Sequence, residues 1–229
     1  TIELQTDMLR TTFDSAAHDL RGPLYRARVR IEESLQHEGL SEDARGTMEA
    51  TLAELERVQR TLGTLLQIAQ AEGRGRDVPT ESVDLAALAR ELVELYRPEA
   101  ATREITLEYR GSDAAATRGN SQLLAQVLVN LIENAIKYVS QGGRIEVSVA
   151  AEPEAIVLQV ADNGPGIPAA DRQRILQPFV RLERDREQVG SGLGLSLVAA
   201  VVRLHRGSIE LLDNNPGLIV RCRLGKESG

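Results

Sequence analysis

One residue near the start of the chain could act as a nucleophile, the imidazole of His18. It lies one position past Ala17, which belongs to an apolar helical repeat, so we predict that its side chain points away from the helix-packing core. A neutral imidazole is nucleophilic, and the adjacent Asp19 can orient it and accept its second proton. Gly22 and Pro23 weaken the same helix about one turn later. A solvated histidine beside an incidental kink explains these residues equally well.

A second candidate site lies on a strongly apolar helix that is predicted to begin at Asn120 or Ser121. Four polar residues share one face of that helix at helical spacing: Asn130, Asn134, Lys137 and Tyr138. Amide oxygens and a lysine suit a hard cation together with phosphate groups. An ordinary amphipathic helix is the alternative. Asparagine is a poor helix former, so two of them in the middle of a helix argue against that alternative.

Two glycine-rich segments offer further contacts to a ligand. Asp162 ends a predicted strand, where its carboxylate can accept a hydrogen bond from the amino group of a base, and Gly164 and Gly166 follow it. Glycines let a ligand approach the backbone closely. Residues 190–195 form a glycine-rich loop that opens a helix, whose free N–H groups and dipole favour phosphate oxygens. A plain tight turn also explains the first segment, and a glycine-rich string alone is weak evidence for the second.

The connection between these two segments, residues 169–189, is long and carries dense charge from Arg181 to Glu187. Its length indicates a mobile lid over the candidate site. A solvated surface loop is the alternative.

Two long helices are predicted at the start of the chain, up to about Ala71, because apolar residues recur at alternating steps of three and four. Gly39 can end the first helix and Ser41 can cap the second. The short turn makes the helices antiparallel neighbours. Because two helices bury little by themselves, we expect two chains to pair their hairpins as a four-helix bundle, which makes the protein a homodimer.

Strands and helices interleave in the rest of the chain, which predicts an α+β fold with a layered sheet. Three helices are predicted in this part of the chain: Leu85 to about Arg97, Asn120 or Ser121 to about Tyr138, and Leu193 to Leu204. The predicted strands are 104–109, 144–149, 156–160, 208–212 and 218–224. We therefore divide the chain into a helical hairpin (residues 1–73), a linker (74–80) and an α/β domain (81–229).

Composition excludes several classes of protein. The formal net charge of −7 argues against nucleic-acid binding by bulk positive charge, and the 3% aromatic content argues against stacking on single strands. The single cysteine, Cys222, fits a reducing compartment. We find no apolar run long enough to span a membrane and no signal peptide.

The order of these motifs resembles the catalytic core of the sensor histidine kinases of two-component signalling. Residues 18–24 resemble the phosphoacceptor box of that family, and residues 130–138 resemble its N box. Residues 162–167, 178–181 and 190–195 resemble its first glycine box, phenylalanine box and second glycine box. Five motifs in order are highly specific. The resemblance implies a dimeric four-helix phosphotransfer domain followed by an ATP-binding α/β sandwich related to gyrase-type ATPases.

The resemblance also implies roles for individual residues. His18 would accept the γ-phosphoryl group of ATP, with Asp19 as the neighbouring base. Asn134 would hold Mg²⁺, and Asn130 lies in the same polar stripe. Lys137 would contact phosphate, and Tyr138 would lie beside the nucleotide. Asp162 would accept a hydrogen bond from the adenine amino group.

The remaining implied nucleotide contacts lie in the three later boxes. Gly164, Gly166 and Ile167 would shape the adenine pocket; Phe179 would anchor the lid and Arg181 could reach the transferring phosphoryl group. Gly190, Gly192, Leu193 and Gly194 would shape the lid and the phosphate loop.

The family resemblance implies further partners and a location. The phosphoryl group would pass to an aspartate in the receiver domain of a response regulator. The chain would lie on the cytoplasmic side, as part of an inner-membrane sensor whose membrane-bound portion precedes Thr1.

The sequence departs from the family pattern at two places. Gly22 lies four residues after the histidine, where threonine or asparagine is usual, and Leu218 follows Gly217 where a Gly-Thr pair is usual. We interpret the second departure as a matter of packing rather than chemistry.

Two other functions remain alternatives. One is a non-enzymatic dimeric signalling scaffold with a degenerate nucleotide-binding domain; Asn134, Asp162 and the second glycine box argue against it. The other is a gyrase-like ATPase, which needs a carboxylate to activate water. Asn130 occupies the position where such enzymes carry glutamate, although Glu133 is nearby.

Overall fold

The computed structural model describes residues 22–37, 39–73, 81–183 and 192–226. The chain divides into two compact units, residues 1–77 and residues 78–229. His18, Asp19, Gly190 and the predicted linker 74–80 lie outside the described residues. Within the described ranges, no helix is both long enough and apolar enough to cross a membrane.

The first unit is an antiparallel helical hairpin, as predicted. The described part of α1 covers residues 22–35, and α2 covers Glu42–Gly73. Two contacts fix the direction of the pair. A side-chain N–H of Arg28 lies 3.8 Å from Oε1 of Glu56, and Arg45 donates to the carbonyl oxygen of Leu35 at 3.1 Å.

The turn between these helices uses the residues that the sequence indicates. Gly39 has a φ of +117°, which other residues rarely adopt. Oγ of Ser41 accepts a hydrogen bond from the backbone N–H of Ala44 at 3.2 Å. Glu42 and Asp43 occupy the first turn of α2, where the helix dipole favours negative charge.

The second unit is a two-layer α+β domain with three helices, a five-stranded sheet and a two-stranded sheet among its described residues. Its helices are α3 (Leu85–Thr102), α4 (Ser121–Tyr138) and α5 (Gly194–Leu204). Its strands are β1 (Glu81–Asp84), β2 (Thr106–Tyr109), β3 (Ala116–Gly119), β4 (Arg144–Ala151), β5 (Ala155–Asp162), β6 (Ser208–Asp213) and β7 (Leu218–Gly225). Two 3₁₀ turns, Ala169–Asp171 and Arg174–Leu176, follow β5.

The larger sheet has the strand order β2-β4-β5-β7-β6 and is antiparallel except for the β2–β4 pair. The buried side chains of β4 and β7 alternate with more exposed ones, as expected for a sheet with one covered face. The three helices cover that face. The sequence therefore predicts the α+β class correctly.

Helix α4 forms where the sequence predicts it, because a capping residue marks its start and the apolar stripe continues into its last turn. Oδ1 of Asn120 accepts from the N–H of Leu123 at 3.0 Å and caps the helix. The predicted inward residues, Leu128, Leu131, Ile132 and Ile136, are all buried. This buried stripe fixes how α4 is rotated about its own axis, and it therefore also fixes the side on which the polar residues lie.

Helices α4 and α5 are joined where α4 begins and α5 ends. Nε2 of His205, which follows α5, accepts a hydrogen bond from the backbone N–H of Asn120 at 3.0 Å. Nδ1 of the same ring lies 2.8 Å from the carbonyl oxygen of Val201, so the neutral ring satisfies both partners. Burial lowers the pKa of His205 and so favours that neutral form.

The structure corrects several predicted elements. Strand β2 begins at Thr106 rather than at residue 104, because Glu104 has a φ of +57° and is not extended. Helix α3 continues to Thr102 rather than ending near Arg97, because the exposed Pro98 is tolerated and the buried Ala100 extends the packed face. Strands β1 and β3 are not predicted from the sequence at all. They pair with each other, and Oγ1 of Thr117 on β3 donates to the carbonyl oxygen of Gly225 at 2.6 Å.

Candidate functional site

The two asparagines of α4 lie beside the first residue of α5. A Cβ atom on Gly194 would lie 3.1 Å from Nδ2 of Asn134 and 3.5 Å from Oδ1 of Asn130. Nδ2 of Asn130 donates to the carbonyl oxygen of Gln126 at 2.8 Å, which leaves its Oδ1 as an acceptor facing this junction. Two side-chain amides and a helix N-terminus therefore meet at one place, an arrangement that suits phosphate groups.

The last turn of α4 carries the two other predicted polar residues. The ammonium group of Lys137 lies 4.8 Å from the centre of the Tyr138 ring, a cation–π contact. The carbonyl oxygen of Tyr138 would lie 3.3 Å from a Cβ atom on Gly164. The end of α4 therefore borders the turn that follows β5.

Asp162 ends β5 as predicted, and the residue is only 8% exposed. Oδ1 accepts from the backbone N–H of Gly164 at 2.8 Å and from that of Leu218 at 3.3 Å. No donor among the described residues bonds to Oδ2. Burial raises the pKa of Asp162, and the two backbone bonds oppose that rise. The carboxylate is therefore held by one oxygen and presents the other.

Leu218, where the sequence departs from the family pattern, contacts the site through its backbone. Its backbone N–H binds the Asp162 carboxylate because β7 pairs with β5 so that these two residues lie opposite each other. Gly166 packs nearby with a φ of +65°, and a Cβ atom there would lie 2.6 Å from the carbonyl oxygen of Gly217. The turn before β7 thus forms part of the site, which strand pairing reveals and local sequence does not.

The phenylalanine box meets the second glycine box through the backbone. Phe179 has a φ of +64°, and its N–H donates to the carbonyl oxygen of Gly192 at 3.1 Å. Phe179 is 73% exposed. Gly192 has a φ of +71°, and a Cβ atom on it would lie 3.1 Å from Cγ of Arg181. Phe179, within the predicted lid, and Gly192, beyond its end, are therefore joined, whereas residues 184–191 lie outside the described residues.

One contact at the edge of the site is not predicted from the sequence. The hydroxyl of Tyr96 on α3 donates to Oε1 of Glu133 on α4 at 2.8 Å. Glu133 directly precedes Asn134 and is the only acidic residue of α4. The two partners are 37 residues apart, and neither belongs to a motif that signals the pairing.

Comparison with known proteins identifies the class of this domain. Residues 119–228 match the family described as histidine kinase-, DNA gyrase B-, and HSP90-like ATPases. This stretch contains Asn130, Asn134, Asp162 and Gly194, the residues around which the site is built. The part of the chain that holds these residues is similar to that ATPase family.

Curated relatives extend the similarity into the helical hairpin. The chain is 33% identical to the adaptive-response sensory kinase SasA of Crocosphaera subtropica over 88% of this chain and 54% of the relative. It is 34% identical to the sensor protein CutS of Streptomyces coelicolor over 92% of this chain and 51% of the relative. The chain thus spans about half the length of the curated relatives it matches.

Solved structures share the fold. A mycobacterial sensor histidine kinase, MprB, matches 66% of this chain and 100% of its own with a TM-score of 0.59 and 27% identity. Full-length ShkA in complex with AMPPNP matches 96% of this chain and 47% of its own with a TM-score of 0.75 and 22% identity. Over most of its length the chain is therefore similar to the part of sensory kinases that contains the ATPase domain.

Proposed function

We propose that this chain is an ATP-dependent protein kinase that phosphorylates His18 and passes the phosphoryl group to an aspartate of a response regulator. One observation carries most weight, the junction of Asn130 and Asn134 with the start of α5 at Gly194. That junction lies in the same domain as a buried carboxylate that presents one oxygen. The names of the curated relatives, a sensory kinase and a sensor protein, support the same conclusion.

Asp162 would recognise the adenine base. Its Oδ2 accepts from the exocyclic amino group, while the backbone bonds of Gly164 and Leu218 keep the carboxylate in place. Ile167 lies in the turn that follows, and its carbonyl oxygen is held by Arg172 at 3.0 Å. The phosphates would extend toward the N-terminus of α5, with Lys137 and Gly190–Gly194 around them.

The residues at the junction fit a magnesium ion that is bound together with the nucleotide. Among the described residues, no group of three or more histidine, cysteine or acidic side chains could hold a metal. Amide oxygens are hard donors, and Mg²⁺ is often bound by one or two protein oxygens plus substrate phosphates and water. Asn134 would be the protein ligand and Asn130 its neighbour. When bound, the ion would neutralise charge on the phosphates.

The transfer step needs a nucleophile and a proton acceptor. A ring nitrogen of His18 would attack the γ-phosphorus, and the bond from that phosphorus to the β–γ bridging oxygen would break, releasing ADP. The proton on the other ring nitrogen would move to Asp19. Such catalysis depends mainly on positioning and on neutralising charge.

The first unit would supply the dimer and the phosphoacceptor. We propose that residues 1–73 of two chains form a four-helix bundle, that residues 74–80 link it to the domain, and that residues 81–229 bind ATP. We further propose that the complete protein is a membrane-anchored sensor with this part on the cytoplasmic side. Two relatives are named sensor proteins, which supports a sensory role for the complete protein.

Incubation of the purified chain with γ-³²P-ATP and Mg²⁺ tests the proposal. We expect labelled protein whose phosphate is stable to base and labile to acid, and we expect His18→Ala to abolish it. His37→Ala is the control, because His37 is exposed and its ring contacts only the Glu33 carbonyl oxygen of its own helix turn among the described residues. Free phosphate without labelled protein would indicate an ATPase, and neither product would indicate a scaffold.

A further inference from the structure

Glu133 is placed where it could interfere with phosphoryl transfer. It is the only carboxylate on α4, it directly precedes Asn134, and it follows Asn130 by three residues. Each residue turns an α-helix by about 100°. The Glu133 side chain therefore leaves the helix about 60° from that of Asn130 and about 100° from that of Asn134, measured around the helix axis. A glutamate side chain at that angle can turn toward the junction of the amides with Gly194 or toward α3.

In the structure the side chain turns toward α3. The hydroxyl of Tyr96 donates to Oε1 of Glu133 at 2.8 Å, a short hydrogen bond to a carboxyl group. Both residues are half-buried, so the bond is partly shielded from competing water. The bond favours the rotamer in which the carboxyl group lies away from the two asparagines.

We propose that Tyr96 is a positioning residue that favours transfer to the protein over hydrolysis by holding Glu133 away from the γ-phosphate. This inference rests on the proposed kinase function of the same site. The nucleotide must wait in the site until the acceptor histidine arrives, and during that time water is the competing nucleophile. A free carboxylate next to Asn134 would be a general base for that water.

The suppressed reaction is ordinary hydrolysis of ATP. The oxygen of water would bond to the γ-phosphorus, and the bond from that phosphorus to the β–γ bridging oxygen would break. The water proton would move to the Glu133 carboxylate and then to solvent, leaving ADP and inorganic phosphate. Removing the Tyr96 hydroxyl leaves the ring in place and releases Glu133 for this role.

The test compares Tyr96→Phe with the parent in the full chain, with γ-³²P-ATP and Mg²⁺, and measures both free phosphate and labelled protein. We expect free phosphate to form about 10-fold faster in the variant, a part of the 10²–10⁴-fold that a general base contributes. Labelled protein should not increase. The double variant Tyr96→Phe/Glu133→Gln should return to the parent rate of phosphate release.

Tyr109→Phe is the matched control, because the Tyr109 hydroxyl also donates a 2.8 Å hydrogen bond, but to the carbonyl oxygen of Ser112 rather than to a group on α4. An unchanged rate in Tyr96→Phe would overturn the inference. So would a rise that persists in the double variant, or an equal rise in Tyr109→Phe. Failure of the parent chain to label itself would instead overturn the proposed kinase function.

Discussion

A Cβ atom on Gly217 would lie 1.8 Å from the carbonyl oxygen of Asp162. The two backbone segments therefore touch where no side chain can fit. Gly217 also has a φ of +123°, which disfavours every residue except glycine. Nδ2 of Asn214 donates to the same Asp162 oxygen at 2.7 Å. This contact holds the turn before β7 against the end of β5, where Asp162 lies.

Gly217→Ala should weaken both the domain and its affinity for ATP. The added methyl group must push the turn away from β5, so we expect a loss of about 1–3 kcal/mol in unfolding free energy. Calorimetry and thermal unfolding measure the two effects. Gly142→Ala is the control, because Gly142 has a φ of +77° but no atom within 4 Å of a Cβ atom. If Gly142→Ala lowered the unfolding free energy and the ATP affinity as much as Gly217→Ala does, backbone strain alone would explain the result, without the close contact to Asp162.

ATP affinity should fall as the pH is lowered through the raised pKa of Asp162. Burial penalises its charged form, so protonation occurs at a higher pH than for an exposed aspartate, and the protonated group is a poorer acceptor. The stability of the empty domain has the opposite sign. A raised folded pKa of an acid means that stability decreases as the pH rises from the unfolded pKa to the folded one.

Asp162→Asn separates these two effects. It should weaken ATP binding by about 1.5–3 kcal/mol at neutral pH, because a charge-assisted acceptor is lost. It should also abolish the pH dependence of binding in the acidic range while the domain stays folded. Titration calorimetry at several pH values checks this, and a variant that kept the parent's pH profile would contradict the role of Asp162.

Asn134→Ala should remove the part of nucleotide affinity that depends on Mg²⁺. The change deletes the amide that lies beside Gly194 and leaves intact the adenine contact that is proposed for Asp162. Titrations with ATP, with and without Mg²⁺, should therefore give similar affinities for the variant. Gln122→Ala removes an exposed amide from the first turn of the same helix and should keep the Mg²⁺ effect.

Gly22→Thr should add phosphatase activity toward a phosphorylated response regulator. Family resemblance implies that the side chain four residues after the histidine helps to position the attacking water, and glycine has none. The substitution fits sterically, because a Cβ atom on Gly22 would meet only the flexible end of Arg26, at 3.3 Å. The assay mixes the phosphorylated regulator with unlabelled protein and ADP. Rapid dephosphorylation by the parent, unchanged in the variant, would refute the prediction.

Sequence reasoning succeeds where the signal is local. Helix α4 has a capping asparagine, a strong apolar stripe and a polar face within one segment, so its bounds and inward residues are predicted correctly. Strands β1 and β3 have four residues each and polar side chains, so no alternation distinguishes them from loops. They form strands because they pair with each other, and the sequence does not reveal that pairing.

Long-range contacts account for the rest of what the sequence does not reveal. The N–H of Leu218 reaches Asp162 only because β7 pairs with β5, and a backbone group leaves no trace in the residue type. The bond from Tyr96 to Glu133 similarly depends on how α3 packs against α4. Tertiary structure sets these contacts. The residues that they hold in place, Asp162 and Glu133, nevertheless lie within the sequence motifs.

The hydrogen bond from Asn120 to His205 has a consequence for measurement. Helix α4 and helix α5 meet at Gly194 where the nucleotide phosphates are proposed to bind, and they are tied again by the Asn120–His205 bond at their other ends. A ligand that bridges the first junction should raise the free energy needed to open the helix pair. The Asn120 amide should then exchange its hydrogen for deuterium more slowly when ATP is bound, although it lies ten residues before Asn130. That single amide would report occupancy of the site without touching the ligand.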